Sequence, residues 1–218
     1  MAECVTKAEP TMNRLLLVAT AATAVVALTA IGLLMTGGLR SPQVVDISAS
    51  APVRSSGVPN IGGPFELVNQ AGEPVTDADF AGKKTLIYFG FTYCPDVCPT
   101  ALQVMSVALE ELGDDADAFT PIFVTVDPER DDPETMAAYV EHFGENFVGL
   151  TGTPEQIEAA AKAYKVYFRK VEDASSTAGY TMDHSSVVYL MSEDNTFLAN
   201  FTHETLPDRM AARLRQYL

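Results

Sequence analysis

Two cysteines four residues apart, Cys94 and Cys98, are the groups in this 218-residue chain best suited to chemistry. They stand in Y-F-G-F-T-Y-C-P-D-V-C-P-T, residues 88–100, between a short apolar run and an amphipathic one. At a helix N-terminus, unpaired backbone N–H groups and the positive end of the helix dipole favour thiolate over thiol. A pair placed there is easy to deprotonate and to oxidise. Two such sulfurs can close as a disulfide or grip one soft metal ion, and the spacing leaves both open. A packed-core role fits poorly, because a proline follows each cysteine and Asp96 lies between them.

A third donor would have to come from elsewhere. The chain has three histidines, His142, His184 and His203. His142 lies in an amphipathic stretch and His203 in a connector, and structural roles are expected for both. His184, in T-M-D-H-S-S-V-V-Y-L-M, follows a long polar loop and precedes a strand, so it can reach the sheet edge that carries the cysteines. Ligation and a structural role both stay open for it. Two thiolates and one imidazole form a soft, low-coordination set that suits Cu(I) and can hold Cu(II). Structural zinc would call for a fourth protein ligand. Cys4 precedes an apolar run and is treated as an incidental thiol.

The positioning elements follow from periodicity. T-L-I-Y-F (85–89) is a central strand. After Pro99, Leu102, Met105, Leu109 and Leu112 recur at threes and fours, one face of a helix that ends at Gly113. Two short strands flank the turn 70–72, with a helical turn at 77–80, and F-T-P-I-F-V-T-V is a second apolar strand ending at Asp127. Asp132-Pro133-Glu134 and Thr153-Pro154-Glu155 start helices over 135–143 and 156–164. A strand over 165–171, a polar loop over 172–179, a hairpin of 186–191 with 196–200, and a helix over 206–218 striped by Leu206, Met210 and Leu214 complete the domain. Strands alternating with helices, then a hairpin and a helix, predict an α/β sandwich with a mixed central sheet. With the cysteine pair at the end of its first central strand, that order is thioredoxin-like.

The formal charge of −15 and the pI near 4.4 argue against nucleic acid and against a peripheral grip on anionic lipid. Residues 1–14 are short and polar, and residues 15–35 carry no charged side chain. That run suffices to cross a bilayer core of roughly 30 Å, and it exceeds the 7–15 apolar residues of a cleaved signal. A single transmembrane helix over 15–36 is therefore expected. Arg14 beside it places the N-terminus in the cytoplasm and the domain outside. Residues 37–63, rich in Ser, Pro, Ala and Gly, read as a tether to the folded domain at 64–218.

Four segments together resemble the Sco/SenC family: G-G-P-F-E-L at 62–67, the cysteine block at 88–100, V-D-P-E-R-D at 126–131, and D-H-S-S-V-V-Y-L at 183–190. Members of that family are membrane-anchored, thioredoxin-fold copper proteins that assist assembly of cytochrome c oxidase. The resemblance implies copper, Cu(I) or Cu(II), ligated by Cys94, Cys98 and His184, with Asp127 supporting the site or contacting a partner rather than ligating. It implies delivery to the dinuclear copper centre of cytochrome c oxidase subunit II, with a copper donor protein and a thiol reductant as further partners. It also implies a bacterial inner membrane location with the domain on the periplasmic side, in preference to the mitochondrial inner membrane. Tyr93 stands where many relatives have histidine, a departure that leaves the three ligand positions intact. The competing expectation is a thiol–disulfide oxidoreductase that keeps the oxidase cysteines reduced, or a redox sensor. Against it, C-x-x-x-C is one residue longer than the C-x-x-C of thioredoxin-like redox motifs.

Overall fold

Strand β3 (Lys84–Gly90) is the axis of the fold, and Leu86, Ile87, Tyr88 and Phe89 along it are all buried. A strand apolar on both faces needs cover on both, and neighbours on both edges to pair its backbone. In the computed structural model, which describes residues 60–173 and 179–218, β3 runs parallel to β4 (Phe119–Thr125) and antiparallel to β8 (Val187–Met191). The full sheet also holds β1 (Glu66–Asn69), β2 (Pro74–Thr76), β5 (Val148–Thr151) and β9 (Phe197–Thr202), in the order β2-β1-β5-β4-β3-β8-β9. The parallel steps are bridged by α1 (Val97–Glu110) and α2 (Pro133–Val140), followed later by α3 (Pro154–Ala163) and α4 (Pro207–Leu214). This is the expected mixed-sheet, thioredoxin-like α/β sandwich.

Local rules explain most boundaries. Asp132 caps α2 by accepting from the Thr135 N–H at 2.8 Å, and Thr153 opens α3 in a capping box with Gln156. The buried stripe of α1 holds Leu102, Met105 and Leu109, as the spacing predicts.

Four features depart from the sequence expectation. Strand β5 is absent from the prediction: V-G-L-T is too short to show alternation. Gly149 sits so close to α2 that an added Cβ would lie 3.2 Å from Val140 Cγ1. The stretch before His184 is also a strand, β7 (Tyr180–His184). It pairs antiparallel with β6 (Phe168–Glu172) to form a two-stranded ribbon outside the seven-stranded sheet. Strand β6 begins three residues later than expected because Lys165 takes a left-handed turn conformation, φ 59°. Finally, Leu206 does not join the α4 stripe. It precedes the helix and is 58% exposed, while Met210, Ala211 and Leu214 are buried.

The expected anchor and all but the last few residues of the tether lie outside the described residues. Among the described residues no helix is long and apolar enough to cross a membrane.

Candidate metal centre

Cys98 is the second residue of α1 and fully buried, while Cys94 lies half-buried in the loop that leaves β3. The loop closes on itself through the Cys94 N–H to the Phe91 carbonyl at 3.3 Å, and the Cys98 N–H donates to Cys94 Sγ at 3.4 Å. Both thiols are unbridged. Gly90 makes the close packing possible, since a Cβ there would stand 2.8 Å from Cys98 Sγ and 2.8 Å from Phe123 Cε2.

His184, the last residue of β7, brings Nε2 to 3.4 Å from Cys98 Sγ. Its Nδ1 lies 3.1 Å from the Ser185 carbonyl. An N–H at Nδ1 donating to that carbonyl leaves the Nε2 lone pair facing the sulfurs, and fixes the tautomer and ring orientation a ligating histidine needs. The ring also meets Phe91 and Tyr88 edge-on, at 5.7 and 6.1 Å between centroids. Of the flanking residues, Ser185 supplies the orienting acceptor, whereas Asp183 pairs with Arg169 at 2.9 Å.

One donor atom from each of Cys94, Cys98 and His184 lies within 4.8 Å of the others. An ion roughly 2.0–2.3 Å from a sulfur and a nitrogen holds them about 3–4 Å apart, a range that the 3.4 Å between Cys98 Sγ and His184 Nε2 already meets. Cys94, Cys98 and His184 are the only such cluster among the described residues. His142 and His203 are both exposed and lie outside it.

The two sulfurs differ electrostatically, which the sequence does not disclose. The hydrogen bond between them, joined by backbone N–H groups, holds Cys94 down to about 4 despite partial burial. The same bond, burial and the Cys94 charge push Cys98 upward. In the metal-free state the lowered thiol is therefore Cys94 and the raised one Cys98, whereas the sequence expects both to deprotonate readily. Tyr88 donates its hydroxyl toward Cys98 Sγ at 3.8 Å, and burial raises its own pKa.

Between Asp127 and α2, Asp132 is the helix cap that the sequence predicts, but Asp131 has a role that the sequence does not disclose. Asp131 is fully buried: it accepts from the Thr92 N–H at 3.0 Å, the Thr92 hydroxyl at 2.5 Å and the Thr125 hydroxyl at 2.6 Å. It therefore fixes the cysteine loop from beneath, and burial raises its pKa. Asp127, 3% exposed, is ion-paired with Arg130 and accepts from the Tyr180 hydroxyl at 3.0 Å. A T-x-C motif opposite an R-D dipeptide is the one signal that could have pointed to this clamp.

The SCO1/SenC family profile matches residues 53–218. The chain belongs to the SCO1/SenC family. Among curated relatives, the mitochondrial SCO1 homolog 1 of Arabidopsis thaliana is 40% identical over 168 residues, 75% of this chain and 50% of that protein. The chain thus spans about half to three fifths of the length of its first eukaryotic relatives. Among solved structures, Bradyrhizobium japonicum ScoI with copper bound is 46% identical at a TM-score of 0.67, covering 72% of this chain and 99% of that one. BsSco, a member of the Sco family of cytochrome c oxidase assembly proteins in which a disulfide switch was identified, is 26% identical at a TM-score of 0.57. It covers 72% of this chain and 93% of that one. The thioredoxin-like fold is common to this family.

Proposed function

We propose that this chain is a membrane-anchored copper metallochaperone that binds one copper ion through Cys94, Cys98 and His184 and delivers it to the dinuclear copper centre of cytochrome c oxidase subunit II. The observation that carries the reading is the convergence of those three donors within 4.8 Å. Soft thiolates with one imidazole and no fourth protein donor in the cluster suit copper better than structural zinc. Copper here is cargo, so a site of three ligands open on one side favours transfer by stepwise ligand exchange. Residues 15–36 anchor the chain in a bacterial inner membrane, 37–63 set its reach, and 64–218 work on the periplasmic side. Asp127 supports the site through Arg130 and Tyr180. Joining the two sulfurs as a disulfide releases two electrons and two protons to an acceptor and removes two of the three ligands. Loading therefore requires a thiol reductant as well as a copper donor protein.

The test is copper stoichiometry with X-ray absorption on the anaerobically reduced soluble domain, beside His184→Ala. The expected result is one copper per chain on two sulfurs and one nitrogen, with the nitrogen lost in the variant. A reduced domain that takes up no copper overturns the reading.

A second reading rests on the asymmetry of the thiols. A half-buried Cys94 held down to about 4 beside a buried, protonated Cys98 is the arrangement of an attacking and a resolving thiol. Thiol–disulfide exchange by the copper-free domain, largely retained in His184→Ala, would favour that oxidoreductase role.

A further inference from the structure

The ligands come from two separately built pieces, and beside the direct contacts of His184 with Cys98 and Phe91 a second set of contacts between those pieces converges on one side chain that no ligand assignment includes. Arg130 lies in the segment between β4 and α2. Its guanidinium carbon stands 3.8 Å from the ring centroid of Tyr180, 4.8 Å from that of Tyr93 and 5.8 Å from that of Phe91. Tyr93 and Phe91 belong to the cysteine loop, with Tyr93 adjacent to Cys94. Tyr180 opens β7, four residues before His184 on the same strand. Arg130 Nη1 also donates to the Tyr180 carbonyl at 3.2 Å, and Nε pairs with Asp127, which in turn accepts from the Tyr180 hydroxyl at 3.0 Å. The remaining nitrogen, Nη2, is buried without a hydrogen-bond partner in the described structure, so aromatic faces rather than further acceptors enclose this end of the cation. On the ribbon side, Lys170 of β6 places Nζ 3.9 Å from the centroid of the same Tyr180 ring.

We infer that Arg130, with Asp127 and Tyr180, is a positioning clamp that sets the His184 ribbon against the cysteine loop and so determines whether the nitrogen ligand reaches the sulfurs. The ribbon has no strand pairing to the main sheet, and His184 joins β8 only through Ser185 and Ser186, so the ribbon's own backbone pairing leaves its angle against the cysteine loop to side chains. The planar guanidinium can set that angle: it binds ribbon backbone and ring, loop rings and a buried carboxylate from one rigid group, which a lysine ammonium does not reproduce. The next residue, Asp131, holds Thr92 of the cysteine loop, so consecutive side chains register the two halves. The inference rests on the copper reading for its consequence but not for its geometry.

The test uses the reduced soluble domain in two states. Without metal, nuclear Overhauser contacts from the His184 ring to Phe91 and Tyr88 report the placement directly. With copper, X-ray absorption and a competition titration report the nitrogen ligand and the affinity. Arg130→Met and Tyr180→Leu are expected to lose the His184–Phe91 contact, keep two sulfur ligands, and bind copper about 10–100-fold more weakly, the range for loss of an orienting partner. Arg130→Met leaves Asp127 buried and unpaired, so Asp127→Asn/Arg130→Met is made beside it to keep a folded variant without the ion pair. Arg130→Lys is expected to restore only part of the affinity. Ring contacts and two-sulfur, one-nitrogen coordination unchanged in both Tyr180→Leu and the double variant would overturn the clamp. A wild-type domain that binds no copper would instead overturn the copper reading, while the metal-free contacts still decide the clamp.

Discussion

The cysteine loop and the β6–β7 ribbon supply one site by opposite means. The loop is an outgrowth of the core: it leaves the buried β3 and enters α1 at a fully buried Cys98, and Asp131 ties it down at Thr92. The ribbon pairs only with itself and meets the loop through side chains. The sulfur half is therefore tied to the core on both sides, whereas the nitrogen half is tied to it by the short link from His184 to β8 and otherwise by side-chain contacts. On the proposed chaperone reading, the less constrained ligand is the natural one to let go first.

Removing ligands from each half is the strongest way to break that contrast. Cys98→Ser is expected to abolish stoichiometric copper, weakening it by more than about a hundredfold, because the loss of even an orienting partner costs about 10–100-fold. His184→Ala should leave weaker, sulfur-bound copper. Equal losses in the two titrations would refute the division into a rigid and a releasable half.

Next in size is the difference between the thiols. With Cys94 ionised above about 4 and Cys98 pushed upward, iodoacetamide at pH 6 should modify Cys94 more than about tenfold faster in the metal-free, reduced protein. The Cys94 rate should stay level from pH 8 to 5 and halve near about 4. Peptide mapping by mass spectrometry reads both sites, and equal labelling would contradict the asymmetry.

Changes beneath the loop test whether it is built into the core. Gly90→Ala forces a Cβ to within 2.8 Å of Cys98 Sγ and should cost about 1–3 kcal/mol in denaturant unfolding, the usual range for overpacking. Asp131→Asn turns an amide N–H toward groups that now donate to the carboxylate, again at about 1–3 kcal/mol. The pH signature separates these two. A carboxyl raised in the folded state binds its proton more tightly folded than unfolded. It therefore contributes a loss of stability as pH rises from the unfolded value through the raised folded one. That falling segment should vanish in Asp131→Asn and persist in Gly90→Ala.

Much of this is legible in the sequence alone. The cysteine block, the α1 stripe, the proline-led helix starts and the β8–β9 hairpin all obey local rules, and the structure follows them. His184 was legible as a candidate because its neighbours announce a strand. Strands β5 and β7 were not, because four- and five-residue strands stabilised by distant partners carry too little pattern of their own. The roles of Asp131 and Arg130 were hidden for a related reason. A run of charges reads as solvated surface, and only the fold shows that the carboxylate of Asp131 is wholly buried beneath Thr92 and the cation of Arg130 enclosed by aromatic rings.

The smallest expected effect sharpens the comparison from the ribbon side. Arg169 and Asp183 face each other across β6 and β7 at 2.9 Å, immediately before His184, and look like a fastening for the ligand. Both side chains are more than half exposed, 63% and 53%, so water and salt screen the pair and ordering the long arginine offsets its attraction. Arg130, by contrast, is 12% exposed and works against a carboxylate that is 3% exposed. Arg169→Ala is therefore expected to leave the melting temperature, the His184–Phe91 ring contact and the copper-bound nitrogen unchanged. If the ring contact is lost in Arg169→Ala and kept in Tyr180→Leu, the ribbon is held by its own exposed surface rather than by the buried cation.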